Sequence, residues 1–262
     1  MALDRYRQKR DFGASPEPAG DDRLRATRAG QTKGRFFCVQ KHLASHLHYD
    51  LRLELDGVLL SWAVPKGPSL DPRDKRLAMQ TEDHPFEYGM FEGVISSGYG
   101  AGIVMLWDHG TWRPDSADAH AALKKGDLKF TLDGYKLKGS WVLVRTRGYA
   151  PAGGASARNS WLLIKHRDEW SGPLDITTFA PFSVKSEGDF ADILGADDPD
   201  VWTNRATRPA RAGGTGAVFE AMIEEAARKK RVPPKRARHK PARVPSKTAK
   251  RAKAKARGRN ER

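Results

Sequence analysis

Between Gln40 and Glu54 the chain gathers residues able to bind a cation and an anion side by side: His42, His46, His48, Asp50, Arg52 and Glu54. From His48 onward polar and apolar residues alternate, and in a strand side chains two apart share a face. His46, His48, Asp50, Arg52 and Glu54 are therefore expected on one side, with Tyr49, Leu51, Leu53 and Leu55 on the other. The α-carbons of His48 and Asp50 would stand roughly 6.6–6.8 Å apart at strand rise, near enough for both side chains to converge on one ion. Two imidazoles and a carboxylate suit a divalent transition metal with open coordination positions, and Mn²⁺, Co²⁺ and Zn²⁺ all accept such ligands. His42 has to return to the same point from the preceding turn, and Arg52 would then point at an anion held by the metal. The alternative is an amphipathic strand with a solvated polar face. Three histidines within seven residues, with Asp50 and Arg52 beside them, favour a site.

A second basic group follows. Pro65-Lys66-Gly67-Pro68 sets Lys66 in a rigid turn, and Arg73, Lys75, Arg76, His84-Pro85 and Tyr88 come after it. Lys and Arg are natural phosphate ligands, Arg being able to grip two oxygens at once. Taken alone this stretch reads as an ordinary exposed basic loop. Glu54, Glu82, Glu87 and Glu92 have no spacing that marks them as catalytic.

The elements that must position these residues are mostly strands. Arg35-Phe36-Phe37-Cys38-Val39-Gln40 is short and β-prone, Asp56-Gly57 supplies a type I′ hairpin turn after the alternating strand, and residues 58–64 form its partner. Further strands are expected at 86–91, 102–107, 110–112, 128–132, 135–145 and 161–166, with a second hairpin signal at Asp133-Gly134. Short strands at regular spacing with turn signals predict a mainly β fold, a closed or nearly closed antiparallel barrel or sandwich. Short helices are expected at 117–125 and 189–194, and an amphipathic one at 216–229, where Val218, Phe219, Met222, Ile223, Ala226 and Ala227 share a face. Residues 149–159 read as a flexible loop. The organisation expected is an N-terminal arm (1–34), a barrel (35–180), an extension carrying the amphipathic helix (181–230) and a basic tail (231–262).

Charge is distributed very unevenly over the 262 residues. The net charge is +15, yet residues 228–262 hold 17 Lys+Arg against 1 acidic residue, which leaves 30 against 31 for everything before them. A nearly neutral body thus carries a polycationic tail, expected to be disordered when free and to attract nucleic acid through counterion release without reading sequence. The single Cys38 excludes an intramolecular disulfide framework and fits a reducing compartment. Met1-Ala2-Leu3-Asp4-Arg5-Tyr6 lacks a signal-peptide core, and no apolar run approaches the ~18–20 residues of a membrane span. A cytoplasmic, nucleoid-associated monomer with no membrane contact is the expectation.

Several of these stretches occur together elsewhere. Gln40-Lys41-His42, Leu47-His48-Tyr49-Asp50-Leu51-Arg52-Leu53-Glu54, Trp62-Ala63-Val64-Pro65-Lys66-Gly67-Pro68, Arg76-Leu77-Ala78 and Thr81-Glu82-Asp83-His84-Pro85 follow one another in order. Tyr88, Phe91-Glu92-Gly93, Tyr99-Gly100-Ala101-Gly102, Gly139-Ser140-Trp141 and Trp161-Leu162-Leu163-Ile164-Lys165 complete the series, and Lys9-Arg10-Asp11-Phe12 and Glu17-Pro18 precede it. Over roughly residues 5–180 this pattern resembles the 3′-phosphoesterase module of bacterial DNA ligase D.

The resemblance implies a compact β-barrel and a manganese-dependent enzyme that heals 3′ ends, removing a terminal ribonucleoside from a primer strand and then the remaining 3′-phosphate. It implies His42, His48 and Asp50 as metal ligands. It places Arg52, Lys66, Arg76, His84, Gln40 and Tyr88 around the phosphate, with Arg10, Asp11 and Glu17 of the arm completing the site. It implies as partners primer-template 3′ ends, a separate ATP-dependent ligase, a polymerase or primase, and a Ku-type end-binding protein; neither a ligase nor a polymerase domain is read in the chain. The sequence departs from the family at Ile95-Ser96-Ser97-Gly98-Tyr99-Gly100, one residue shorter than the usual Ile-Pro-x-Gly-x-Tyr-Gly, and at His46. Two other readings compete. One is an iron oxygenase in which His109 or His166 joins His48 and Asp50; the other is a non-catalytic end-binding scaffold that keeps the barrel.

Overall fold

Alternation and turn chemistry carry the first three strands directly into a meander. The structure, a computed structural model, describes residues 3–8, 34–95, 100–146, 159–196 and 200–202. Within them β1 (Arg35–Leu43), β2 (Leu47–Leu55) and β3 (Val58–Val64) are followed by β4 (Arg76–Gln80), β5 (His84–Pro85), β6 (Gly93–Ile95), β7 (Gly102–Pro114), β8 (Asp127–Gly134), β9 (Lys138–Arg145), β10 (Ser160–Lys165) and β11 (Val201–Trp202). The hydrogen-bonded order runs β1-β2-β3-β4-β10-β9-β8-β7, and β7 returns to β1. All these pairs are antiparallel, so eight strands close into a barrel. Closure removes the exposed edges that an open sheet of this size would leave.

Asp56 and Gly57 adopt φ of 52° and 75°, as the two-residue hairpin turn requires. The second hairpin differs from expectation. Asp133 and Gly134 lie in the last pairs of β8, and the chain turns at residues 135–137. Gly134 serves close approach, because a Cβ there would lie 2.6 Å from Phe37 Cζ. Residues 86–91 form no strand: Phe86–Met90 is a 3₁₀ helix beginning after Pro85. The two short strands expected at 102–107 and 110–112 are one continuous strand, β7. Its register with β1 jumps from Val39↔Asp108 to Gln40↔Leu106, so Trp107 is the extra residue of a β-bulge. Asp108 is fully buried there and accepts N–H bonds from Lys136 at 3.0 Å and Leu137 at 2.8 Å. Burial pushes its carboxyl up to about 6 despite those bonds.

The barrel interior holds the main core, including Phe37, Val39, Leu51, Leu53, Trp62, Trp107, Phe130, Trp141 and Trp161. Full burial of such a side chain stabilises by about 1.5–3 kcal/mol. Helix α1 (Asp4–Gln8) packs Leu3 and Tyr6 on Val58. Helix α2 (Ala119–Lys125) starts at the Asp118 cap and ends at Gly126 in the left-handed region. Helices α3 (Ile176–Phe179) and α4 (Phe190–Gly195) add Ile176, Phe190 and Ile193 to the same core, across the boundary drawn at residue 180. A capping box between Asp189 and Asp192 starts α4. The helix expected at 216–229 and the basic tail lie outside the described residues, as do most of the arm and the 149–159 loop. No helix among the described residues is long and apolar enough to cross a membrane.

Both faces of β2 are buried from Tyr49 to Leu55. The odd-numbered residues enter the barrel core. The even-numbered polar ones lie on the outside of the barrel, under the 3₁₀ helix, β5 and α1. The polar face is therefore covered, not solvated.

Candidate active site

The β1–β2 register sets His42 opposite His48 and Gln40 opposite Asp50. Directly opposed residues of an antiparallel pair project from the same face. Ligand atoms of His42, His48 and Asp50 accordingly lie within 4.8 Å of one another. His42 Nε2 donates to the Gly100 carbonyl at 2.9 Å, and His48 Nδ1 donates to the His46 carbonyl at 2.9 Å. A carbonyl oxygen only accepts, so each of these nitrogens carries the ring proton. The other nitrogens, His42 Nδ1 and His48 Nε2, then present lone pairs to the Asp50 carboxylate, each at 3.7 Å. Outer hydrogen bonds that fix the tautomer and aim the free nitrogen are how metal-binding histidines are held. The donor set, two neutral imidazoles and a carboxylate, fits a divalent transition ion. This group could hold a metal.

His46 does not share the face. It is exposed and precedes β2, so strand alternation does not extend to it; its contribution is the carbonyl that holds His48.

Arg52 joins this group to a second one. Its side chain is only 3% exposed as a residue. Nε donates to Gln40 Oε1 at 2.7 Å, Nη1 to Ser61 Oγ at 2.8 Å, and Nη2 to Asp50 Oδ2 at 3.1 Å. Nη1 also lies 3.1 Å from His84 Nδ1. The guanidinium sits 4.9 Å over the Tyr88 ring. Among the described residues three of its five N–H groups donate to Gln40, Ser61 and Asp50, and the second N–H of Nη2, the nitrogen that holds Asp50, meets no acceptor there, which makes it available to an anion. Burial pushes the Asp50 carboxyl up, but the Arg52 guanidinium beside it pulls it down, and the group is held well below the usual carboxylate range.

Gln40 is fully buried. Its Nε2 donates to the carbonyls of Tyr88 at 3.1 Å and Phe91 at 2.9 Å, which turns its oxygen toward Arg52. His84 stacks 5.0 Å from Tyr88 and 5.5 Å from Tyr6, and its Nδ1 lies 2.9 Å from the Glu82 carbonyl. The structure thus brings together His42, His48, Asp50, Arg52, Gln40, His84 and Tyr88.

Lys66 and Arg76 are placed differently. Lys66 is exposed in the turn after β3, and Arg76 begins β4 with Nη2 donating to Asp74 at 2.9 Å. Neither contacts the central group among the described residues. Arg10, Asp11 and Glu17 lie outside the described residues. His109 stacks on Tyr135 and His166 approaches Ser140 Oγ at 3.0 Å, so neither joins His48 and Asp50 as an oxygenase triad would require.

Sequence reasoning missed Ser61, Tyr6 and the main-chain carbonyls. Ser61 was within reach, because the two-residue turn at Asp56-Gly57 fixes Leu55↔Val58 and hence Arg52↔Ser61. Tyr6 and the Gly100 carbonyl arrive from distant segments and leave no local pattern.

The model of the DNA ligase D 3′-phosphoesterase domain matches residues 40–145. The multifunctional non-homologous end joining protein LigD of Pseudomonas aeruginosa is 48% identical over 221 residues, covering 82% of this chain and 24% of that protein. LigD of Mycobacterium tuberculosis is 44% identical over 147 residues, 56% of this chain and 18% of its own length. LigD of Mycolicibacterium smegmatis is 37% identical over 196 residues, with shares of 72% and 23%. The chain spans about a quarter or less of these relatives. Through its residues 40–145, the chain belongs to the DNA ligase D 3′-phosphoesterase domain family.

Proposed function

We propose that this chain is a metal-dependent phosphoesterase that heals 3′ ends of DNA, removing terminal ribonucleosides and 3′-phosphates to leave a 3′-hydroxyl. The observation that carries the reading is the linkage of the two groups through Arg52: one nitrogen holds the carboxylate of the metal-binding set, and its second N–H meets no acceptor among the described residues. His42, His48 and Asp50 hold the ion, taken to be Mn²⁺, with Co²⁺ or Zn²⁺ compatible with the same donors. Such an ion supplies Lewis-acid polarisation of a phosphoryl oxygen or a water made acidic enough to attack. Arg52 stabilises charge developing on the phosphoryl oxygens, in a site from which the protein has excluded most water. His84, 3.1 Å from Arg52, protonates the leaving oxygen or binds the phosphate as imidazolium. Gln40 and Tyr88 hold Arg52 in place. Lys66, Arg76, Arg10, Asp11 and Glu17 are proposed, by family pattern alone, to complete the phosphate contacts.

The test is incubation with Mn²⁺ and a primer-template carrying a 3′-ribonucleotide or a 3′-phosphate. A shift in gel mobility to the 3′-hydroxyl product is expected. No shift, with bound metal demonstrated, would overturn the reading and favour a scaffold. The product is what a separate ATP-dependent ligase or polymerase consumes, and such proteins, with a Ku-type end-binding protein, are the proposed partners.

The basic tail supports the choice of substrate. Deleting residues 231–262 is expected to weaken DNA affinity about tenfold or more at 0.1 M salt and to flatten its salt dependence, because each phosphate neutralised adds about 0.9 to the slope. Turnover at saturating substrate should stay near that of the full chain. Equal salt slopes for the two proteins would refute a tethering role.

A further inference from the structure

We propose that Glu92 is a positioning residue that sets the aim of Arg52 through Gln40, and that the turn at residues 183–186, outside the matched family region, holds Glu92 for that purpose. Glu92 lies between Phe91 and the first residue of β6 and is only 6% exposed. Its Oε2 accepts the Leu106 N–H at 2.8 Å and the Ser183 hydroxyl at 2.5 Å.

Both bonds bear on Gln40. Leu106 is the residue opposite Gln40, the first pair after the bulge in β7. Register is locally disrupted at a bulge, and main-chain N–H groups there need other acceptors. The carboxylate of Glu92 is that acceptor. The peptide immediately before Glu92 presents the Phe91 carbonyl that receives Gln40 Nε2 at 2.9 Å. Fixing Glu92 thus fixes the strand beside Gln40 and one of the two carbonyls that orient its amide. A reversed amide would set its oxygen against two carbonyls and its NH₂ against Arg52 Nε, so only one orientation is compatible with the surroundings. That orientation delivers Oε1 to Arg52 Nε at 2.7 Å.

The far end of the chain of contacts is equally well made. Ser183 Oγ accepts N–H bonds from Lys185 at 2.9 Å and Ser186 at 3.0 Å while donating to Glu92. The Val184 N–H bonds to the Leu106 carbonyl at 2.9 Å. Leu106 is therefore gripped through its N–H by Glu92 and through its C=O by the turn that holds Glu92. The path runs Ser183, Glu92, the Phe91 carbonyl, Gln40, Arg52, and Glu92 itself touches no proposed reacting atom.

This inference rests on the reading of Arg52 as the phosphate ligand, so its test includes a readout that needs no turnover. The Arg52 Nε–H resonance is followed by NMR in the full chain, alongside Mn²⁺ affinity and the turnover rate on a primer-template bearing a terminal phosphate. Glu92→Ala is expected to shift that resonance, lower kcat about tenfold or more and leave Mn²⁺ affinity within about twofold. Ser183→Ala should do the same to about a third of that extent, and Glu92→Gln, which keeps an acceptor for Leu106, should recover most of kcat. An unmoved Arg52 resonance in a folded Glu92→Ala or Ser183→Ala variant overturns the proposal, as does loss of metal affinity together with activity. Should Glu92→Ala fail to fold, Ser183→Ala decides by the same measures. A wild-type chain inactive on every 3′ end tested would defeat the phosphoesterase reading, while the resonance shift would still decide the path from Glu92 to Arg52.

Discussion

Asp50→Ala is expected to remove bound Mn²⁺ and to reduce 3′-end processing to the limit of detection. The carboxylate is the only anion among the three clustered ligands, and both free imidazole nitrogens face it at 3.7 Å. Without it two neutral donors remain, beside a guanidinium that has lost a partner. Such a site repels a cation. Removing one member of a buried ion pair also costs about 3–5 kcal/mol, so lost activity alone would not separate a missing ion from a collapsed fold. Asp50→Asn separates them. Its amide keeps an oxygen for Arg52 Nη2 and an NH₂ for a free imidazole nitrogen, so it should fold while failing to bind the ion. Electron paramagnetic resonance of titrated Mn²⁺ and a single-turnover assay give the two readouts. Turnover that persists without bound metal would refute the assignment, and so would metal binding by the alanine variant at wild-type affinity.

The second large effect is expected at Arg52. Arg52→Ala should lower kcat about 10²–10³-fold, the usual cost of deleting a preorganised donor to developing charge. Arg52→Lys should recover little of it. The guanidinium serves Gln40, Ser61, Asp50 and His84 from one rigid plane, and an ammonium on a flexible stem cannot meet those directions together. The alanine variant also leaves Asp50, Gln40 and Ser61 without that partner, so its thermal midpoint should fall, and saturating Mn²⁺ should restore part of the loss by mass action. A lysine variant within threefold of wild-type kcat would show that charge alone suffices.

The contrast between these two residues and the rest of the site shows what local sequence encodes. Asp50 and Arg52 are legible because strand alternation is a local property and the Asp56-Gly57 turn sets register over the whole β2–β3 hairpin. His42 follows from composition and family pattern, and the tight reversal between β1 and β2 supplies the missing geometry. Strand β4 reads in sequence as a basic loop because Arg76 and Gln80 flank its apolar residues, although Ala78 is fully buried in the barrel core. The unity of β7 is hidden by Asp108-His109-Gly110, a polar and glycine-bearing stretch that follows the bulge at Trp107. Barrel closure itself depends on β7 meeting β1 some 60 to 80 residues away, which no short pattern announces. The covering of the polar face of β2 escapes sequence reasoning for the same reason, since α1, β5 and the 3₁₀ helix come from three separated segments.

The oxygens that hold His42 and His48 both belong to the main chain, at Gly100 and His46. Substituting the His46 side chain would leave its carbonyl where it is, whereas Gly100 has a φ of 81°, which any other residue would adopt only with strain. Natural variants can therefore drift at His46 without loosening His48, whereas any residue but glycine at position 100 would strain the peptide that holds His42. Evolutionary freedom around this centre should thus be wide at His46 and narrow at Gly100.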